Sequence, residues 1–219
     1  MRINLVCFTA LVAALAAASV VPTAANAQNL IQNPGFESGG ANWTNTGNVD
    51  FALYSGYGMT PTVAFGTGLA NFNAGDTTPN AVLFQSFATS PGAPYRVTFV
   101  YGNFNANGGG ATQTITAAAI NTSNTALLGS VVASDIVGGL QTGFAAVMDT
   151  TYVFEFNAIS TDTTLRFTDF AANSTLSTDG ILDNVSVVVI PEAGTIALVL
   201  PGIALAGLVV LRRKRVNVR

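Results

Sequence analysis

Residues 94–104 read PYRVTFVYGNF, and this stretch indicates the fold class. The apolar side chains of Val97, Phe99 and Tyr101 alternate with a second set that begins at Arg96. An alternation with a period of two, rich in aromatic and β-branched residues, is typical of a strand with one face on a hydrophobic core. The stretch therefore predicts a β-strand at the centre of the fold.

The same alternation recurs on both sides of this strand, for example in TYVFEFNAIS at 151–160 and TTLRFTDF at 163–170. Turn clusters rich in Asn, Gly, Thr and Ser separate the runs. Candidate strands lie near residues 28–32, 48–54, 80–88, 94–103, 112–120, 126–134, 143–159, 163–169 and 181–190. About eight to ten short strands without a long amphipathic helix predict an all-β protein, an antiparallel β-sandwich of the jelly-roll type.

The first 27 residues have the three parts of an export signal. Arg2 precedes an apolar stretch, and the segment ends in the small-residue pattern Ala25-Asn26-Ala27. This order predicts a signal peptide at 1–27 that is cleaved after Ala27, whereas an uncleaved anchor is the alternative.

The other end of the chain has an apolar segment followed by a basic cluster. The nineteen residues from Ala193 to Leu211 are uncharged, and Arg212, Arg213, Lys214 and Arg215 follow at once. Nineteen helical residues span about 28 Å, which is close to the thickness of a bilayer's hydrocarbon core. The segment predicts one transmembrane helix with the basic cluster on the cytoplasmic side, and a buried core helix is the alternative.

The exported stretch between these ends, residues 28–190, is strongly acidic. It contains two arginines and ten acids, a formal net charge of −8, and no Cys, His or Lys. Because an acidic surface repels phosphate backbones, nucleic acid is not an expected partner. The missing residue types exclude disulfides, zinc sites built from His or Cys, a Ser-His-Asp triad, a Cys nucleophile and a Lys Schiff base within this stretch.

Three segments of this stretch resemble galactose-binding-like jelly rolls, a group that includes several carbohydrate-binding module families. The opening NLIQNPGFESG at 29–39 is followed by Trp43, and the middle VLFQSFATSPGAPYRVTFVYG spans 82–102. The closing segments are TTLRFTDF at 163–170 and DGILDNVSVVVI at 179–190. The resemblance implies that residues 28–190 form a single jelly-roll ectodomain.

The tail, residues 191–219, resembles the PEP-CTERM sorting signal of Gram-negative bacteria. It has the motif Pro191-Glu192-Ala193 where that family usually has Pro-Glu-Pro, then the apolar helix, then the basic end at 212–219. The resemblance implies processing by an exosortase, a membrane enzyme. The protein would then pass from the inner membrane to the envelope or the medium, in association with exopolysaccharide.

Two acids are candidate ligands of a structural calcium ion. Asp183 alternates with Val185, Val187 and Val189, so it is predicted to face the core, where a carboxylate needs an arginine or a metal as a partner. The resemblance implies that the first and last strands run close together and that calcium bridges Glu37 and Asp183. The alternative is a solvated Glu37 and an Asp183 that is hydrogen-bonded at a turn.

Three aromatic residues in loop-rich sequence, Trp43, Tyr54 and Tyr57, are candidates for stacking on sugars. The alternative places Trp43 in the core and the tyrosines on sheet faces. Three functions follow from the sequence. The first is a non-catalytic envelope or matrix protein sorted by its tail, the second is a carbohydrate-binding module, and the third is a hydrolase that uses two carboxylates.

Overall fold

The strand predicted at residues 94–103 extends from Pro94 to Asn105. The computed structural model describes residues 28–58, 66–74, 80–106, 112–136, 145–170, 173 and 178–191, which contain ten strands and one short 3-10 helix. The strands are β1 (Thr44–Thr46), β2 (Val49–Leu53), β3 (Gly68–Phe72), β4 (Val82–Ala88), β5 (Pro94–Asn105), β6 (Thr112–Asn121), β7 (Leu127–Ile136), β8 (Ala145–Asn157), β9 (Asp162–Asp169) and β10 (Thr178–Val189), and the 3-10 helix is Tyr54–Tyr57.

The strands form two five-stranded antiparallel sheets. Sheet A has the order β1-β4-β9-β6-β7, and sheet B has the order β2-β3-β10-β5-β8. Because most neighbours in each sheet are not consecutive in the chain, the connections cross between the two sheets, as in a jelly roll. The predicted all-β antiparallel sandwich is confirmed.

The predicted signal peptide at 1–27 and the predicted transmembrane helix at 193–211 lie outside the described residues. Within the described part of the chain, no helix has the length and apolar character needed to cross a bilayer. Residues Gln28–Ile190 form one compact unit.

The main core lies between the two sheets and contains the alternating residues of the opening stretch. Val97, Phe99 and Tyr101 are buried on β5, and the ring of Phe99 contacts that of Phe167 on β9 at a centroid distance of 5.2 Å in a T-shaped arrangement. Each such buried phenylalanine contributes about 1.5–3 kcal/mol through removal of apolar surface from water. The main core therefore depends on the period-two pattern that the sequence shows.

The opening segment lies along β10, although it is not the regular strand predicted at 28–32. The amide of Leu30 donates to the carbonyl oxygen of Val187 at 2.9 Å, and the amide of Val185 donates to that of Pro34 at 3.0 Å. The first and last parts of the domain therefore run side by side, as the resemblance implied.

Two strands, β1 and β3, were not predicted. All three residues of β1 are exposed, and all five residues of β3, Gly68–Phe72, are buried. Neither burial pattern alternates, so neither strand has the signal on which the sequence analysis relied.

The last strand contains a β-bulge, and the bulge reverses the predicted direction of Asp183. The pairing of β10 with β5 shifts register between Asp183 and Ser186, and Asn184 has a positive φ of 52°. Leu182 faces the main core before the bulge and Val185 faces it afterwards. An inserted residue breaks the period of two, so Asp183 lies on the opposite face from the valines, and the prediction that it shares their face was wrong.

Candidate functional site

The outer face of sheet B carries a second hydrophobic cluster, separate from the main core. We call it the outer-face cluster: Tyr54, Leu69, Phe104 and Ile181, with Ala52, Tyr57 and Ala106 packed against them. The 3-10 helix supplies both tyrosines. It ends at Gly58, whose left-handed φ of 65° suits glycine and whose amide bonds back to the helix carbonyls. This short helix therefore places two aromatic rings on a face that would otherwise be exposed.

Asp183 is buried beneath this helix. Its Oδ2 accepts a 2.6 Å hydrogen bond from the hydroxyl of Tyr54, and its Oδ1 accepts one of 2.6 Å from the amide of Asn184. The side chain of Asp183 has no exposed surface, and burial raises the pKa of its carboxyl to about 7. The same burial, together with the bond to Asp183, raises the pKa of the Tyr54 hydroxyl.

Tyr57 is the half-buried ring of the cluster. It contacts the ring of Phe104 at a centroid distance of 4.5 Å in a T-shaped arrangement, and its hydroxyl accepts a short hydrogen bond from Nδ2 of Asn71. Burial raises the pKa of the Tyr57 hydroxyl, and the nearby carboxylates of Asp179 and Asp50 raise it further. Tyr57 therefore presents a ring beside an amide and two acids.

The strand register explains why these polar groups meet. Asp50 on β2 lies opposite Asn71 on β3, and Asn71 lies opposite Ile181 on β10. Directly opposed residues of antiparallel strands have Cβ atoms about 4.5–5.5 Å apart on the same face. Asp179, two residues before Ile181, shares that face, and its Oδ2 accepts from Nδ2 of Asn71 at 3.2 Å. We call Asp50, Tyr57, Asn71 and Asp179 the tyrosine site.

Asn71 is the buried polar residue of the tyrosine site. Only 3% of its surface is exposed, and its Nδ2 is engaged by Tyr57 and Asp179. Its Oδ1 is buried without a hydrogen-bond partner among the described residues. A buried carbonyl oxygen normally accepts at least one hydrogen bond, so this atom is an unsatisfied acceptor within the site.

Glu37 is exposed and anchors the start of β3. Its Oε1 accepts from the amides of Thr67 and Gly68 at 2.8 and 3.0 Å, and its Oε2 accepts from the Thr67 hydroxyl at 2.7 Å. The bond from the Gly68 amide is the main cause that lowers the pKa of this carboxyl. A Cβ on Gly66 would lie 2.0 Å from Oε1, so a side chain there would displace the Glu37 carboxylate.

The surroundings of Glu37 and Asp183 do not favour a shared calcium ion. Calcium takes six to eight oxygen ligands, whereas the groups that face these carboxylates are N–H and O–H donors. The described residues contain no group of three or more acids, histidines or cysteines that could hold a metal ion. The geometry favours the alternative of a hydrogen-bonded Asp183, and the calcium site stays a prediction.

The structure separates the three predicted sugar-stacking residues. Trp43 is 7% exposed and packs in the main core against Phe36 and Phe167, and its Nε1 donates to the carbonyl oxygen of Asn33 at 3.0 Å. Tyr54 is 2% exposed. A ring without an exposed face cannot stack on a sugar, so the prediction was wrong for both residues, and Tyr57 stays a candidate.

The other three members of the tyrosine site have no signal in the sequence. Asp50, Asn71 and Asp179 come from three different strands, and the strand that carries Asn71 was not predicted. The sequence offered no local signal that would bring them together.

The predicted sorting motif lies at the boundary of the described residues. Pro191 is described and exposed. Glu192 and Ala193 lie outside the described residues, as does the basic cluster Arg212, Arg213, Lys214 and Arg215.

No protein-family model matches this chain, and no curated protein is similar to it in sequence. Among solved structures, it is similar to a family 61 carbohydrate-binding module in complex with β-1,4-galactotriose, with 16% identity, a TM-score of 0.48 and coverage of 74% of this chain and 99% of that one. It is also similar to a cleaved adhesin domain of the Lys-gingipain of Porphyromonas gingivalis, with 15% identity, a TM-score of 0.49 and coverage of 72% and 96%. A family 4 carbohydrate-binding module shares 14% identity at a TM-score of 0.42, over 73% of this chain and 99% of that one.

The structural neighbours are thus carbohydrate-binding modules and related β-sandwich domains. With identities of 16% or less and TM-scores below 0.5, these similarities define neither a ligand nor an activity for this chain. A function has to be argued from the chain's own residues.

Proposed function

We propose that residues 28–190 form a non-catalytic domain that binds glycans at the tyrosine site. The observation that carries this proposal is the half-buried ring of Tyr57, held on Phe104 with an amide and two carboxylates around it. The C–H groups of a sugar ring are apolar and weakly positive, so they pack on the negative face of an aromatic ring. Carboxylate and amide oxygens beside the ring accept hydrogen bonds from sugar hydroxyls.

The rigidity of the site supports this proposal. Phe104 and Ile181 are buried strand residues, and the Tyr54–Asp183 hydrogen bond fixes the helix that carries Tyr57. A ring held in place loses little conformational entropy when a ligand stacks on it. Stacking then contributes to affinity without the cost of ordering a mobile side chain.

A glycan array with the purified full chain tests the proposal. Tyr57→Ala removes the ring, and a loss of about 1.4 kcal/mol in binding free energy corresponds to about tenfold weaker binding. Phe170→Ala is the matched control, because Phe170 is an exposed ring at the end of β9 in the other sheet. Failure of the wild type to bind any glycan, or equal losses in both variants, would refute the proposal.

The glycans that bind in this array also serve to test whether the protein is a hydrolase. A glycoside hydrolase that uses two carboxylates would release reducing ends from a bound glycan, and Asp179→Asn would abolish the release. Binding without any release of reducing ends is the outcome that the proposal expects.

We also propose that the tail sorts this domain to the envelope or the extracellular matrix. The support is the order of motif, uncharged segment and basic cluster, which resembles an exosortase substrate. Neutral residues at Arg212, Arg213, Lys214 and Arg215 remove the charges that orient the segment. Membrane retention should then weaken in a host that exports the protein, and unchanged retention and processing would contradict this part of the proposal.

A further inference from the structure

Apart from the hydroxyl of Tyr57, the tyrosine site offers hydrogen-bond acceptors rather than donors. The Oδ1 of Asn71 is buried without a partner among the described residues, and the carboxylates of Asp50 and Asp179 are acceptors when ionised. One carboxylate oxygen of Asp50 accepts a hydrogen bond from the amide of Phe51 at 2.8 Å, and the Asp50 side chain is exposed. A ligand that complements these groups has to bring donors.

The charge of the site is negative. The exported domain has no Lys or His, and its two arginines lie elsewhere. Arg96 bonds to Glu155 at 2.8 Å, and Arg166 is exposed on β9 of sheet A. The site therefore repels anionic sugars such as uronates and attracts cations.

The aromatic ring favours an organic ammonium group over a divalent metal ion as the cation. A ring face attracts a cation within about 6 Å of its centroid, and an organic ammonium is larger and less strongly hydrated than a divalent metal ion. An ammonium group has three donors and no acceptor, which suits the two carboxylates beside the ring. A sugar that bears a free amine can place its ring on Tyr57 and its ammonium group among these oxygens.

From this arrangement, we infer that the tyrosine site selects glycans with free amino groups, such as partly or fully deacetylated glucosamine polymers, over neutral and uronic-acid glycans. The inference rests on the proposed glycan binding and names its ligand class. Ammonium contacts with Asp50 and Asp179 would add to the stacking on Tyr57, and an N-acetylated sugar would retain only the stacking and its neutral hydrogen bonds.

The test compares three oligosaccharides of matched length by titration calorimetry with the full chain: a glucosamine hexamer, its fully N-acetylated counterpart and a galacturonic-acid hexamer. We expect the amine to bind at least tenfold more tightly than the acetylated form, and the uronate not to bind. The preference should shrink when pH rises through the pKa of the amine, and it should weaken in high salt.

Two variants separate a specific site from general attraction to an acidic domain. Asp50→Asn keeps the shape of the side chain and removes its charge, so the ratio of the affinities for the amine and the acetylated hexamer should fall severalfold. Asp162→Asn is the control, because it removes one exposed charge from β9 of the other sheet. Equal effects of the two variants would mean that the attraction is nonspecific, which would overturn the inference.

The remaining outcomes are also decisive. Equal affinity for the amine and the acetylated hexamer, with both lost in Tyr57→Ala, would overturn the amine selection and leave the proposed glycan binding intact. No binding of any hexamer, together with an empty glycan array, would overturn both. A preference that disappears with EDTA would indicate that a metal ion mediates binding, and the inference of direct ammonium recognition would then be wrong.

Discussion

The hydroxyl of Tyr54 donates a 2.6 Å hydrogen bond to Oδ2 of Asp183, a residue 129 positions further along the chain. Tyr54 begins the 3-10 helix, and Asp183 precedes the bulge of β10, the central strand of sheet B. Because both side chains are buried, the bond joins the helix that carries Tyr57 to the middle of the sheet. The tyrosine site is therefore coupled to a single buried polar contact.

Removing the Tyr54 hydroxyl should destabilise the protein. Tyr54→Phe leaves the ring in the outer-face cluster but deprives the buried carboxyl of Asp183 of a donor, which costs about 1–3 kcal/mol. Urea unfolding of the full chain at pH 8 measures this change in the free energy of unfolding. Tyr95→Phe is the matched control, because the hydroxyl of Tyr95 accepts from the amide of Ser90, an exposed residue that can bond to water instead. Equal decreases in the free energy of unfolding for the two variants would contradict the prediction.

A second, partly buried carboxyl predicts how stability changes with pH. Burial raises the pKa of Asp169 to about 6, although its Oδ1 accepts from the amide of Phe170 at 3.0 Å and from Nδ2 of Asn173. Because the folded-state pKa lies above the unfolded value of about 3.9, the folded protein holds this proton more tightly. The contribution of the Asp169 carboxyl to the free energy of unfolding is therefore fully present below about pH 4 and is lost as pH rises through about 6.

Asp169→Asn should therefore raise the free energy of unfolding at pH 8 by about 1–2 kcal/mol and change it little at pH 4. The figure is below the full value for a shift of two units because the side chain is only partly buried. Asp162→Asn, which removes one charge at the exposed end of the same strand, is the control, and an equal pH dependence in the two variants would contradict the prediction. If the difference in the free energy of unfolding between Asp169→Asn and the wild type does not vary with pH, ionisation of Asp169 does not destabilise the folded protein, and the prediction is wrong.

The sequence predicted strands correctly where apolar and polar side chains alternate over at least part of their length. The stretch 94–104 alternates because β5 has the main core on one side, and β9 follows the same rule. β3 reads GLANF and is buried on both faces, by the main core on one side and by the 3-10 helix on the other. A strand covered on both faces has no alternation, so its neighbours in the sheet could not be inferred either.

The tyrosine site could not be predicted for a related reason. Tyr57 was a candidate because an aromatic residue in loop-rich sequence is visible locally, whereas the partners Asp50, Asn71 and Asp179 depend on the register of three strands. The direction of Asp183 depends on the bulge at Asn184, and nothing in the alternating valines indicates that inserted residue. The alternation of apolar and polar residues along a strand shows neither which distant strands pair nor where a bulge is inserted.

The contact between Glu37 and the start of β3 predicts an asymmetry between two glycines. Gly66 has a φ of 75°, and a Cβ there would lie 2.0 Å from Oε1 of Glu37. Gly66→Ala should lower the free energy of unfolding by at least ~1–2 kcal/mol, because alanine is strained at this φ and displaces the carboxylate from its donors. Gly56→Ala, in the 3-10 helix with no heavy atom within 4 Å of its Cβ position, should have little effect. Similar effects of both substitutions in thermal melts would argue against this role of Glu37.

The last prediction distinguishes a hydrogen-bonded Asp183 from a calcium ligand. We expect the full chain to melt at the same temperature in EDTA and in millimolar calcium, because protein donors already occupy the carboxylate oxygens of Asp183 and Glu37. A calcium ion bound only to the folded state would add about 2.7 kcal/mol at a hundredfold excess over its Kd, which is roughly 5–10 °C for a domain of this size. Asp183→Asn would then abolish most of that gain, whereas in the hydrogen-bonded arrangement the melting temperatures of both proteins are insensitive to calcium. A calcium-dependent rise of that size in the wild type, lost in Asp183→Asn, would overturn our expectation and establish the calcium bridge between the first and last parts of the sandwich.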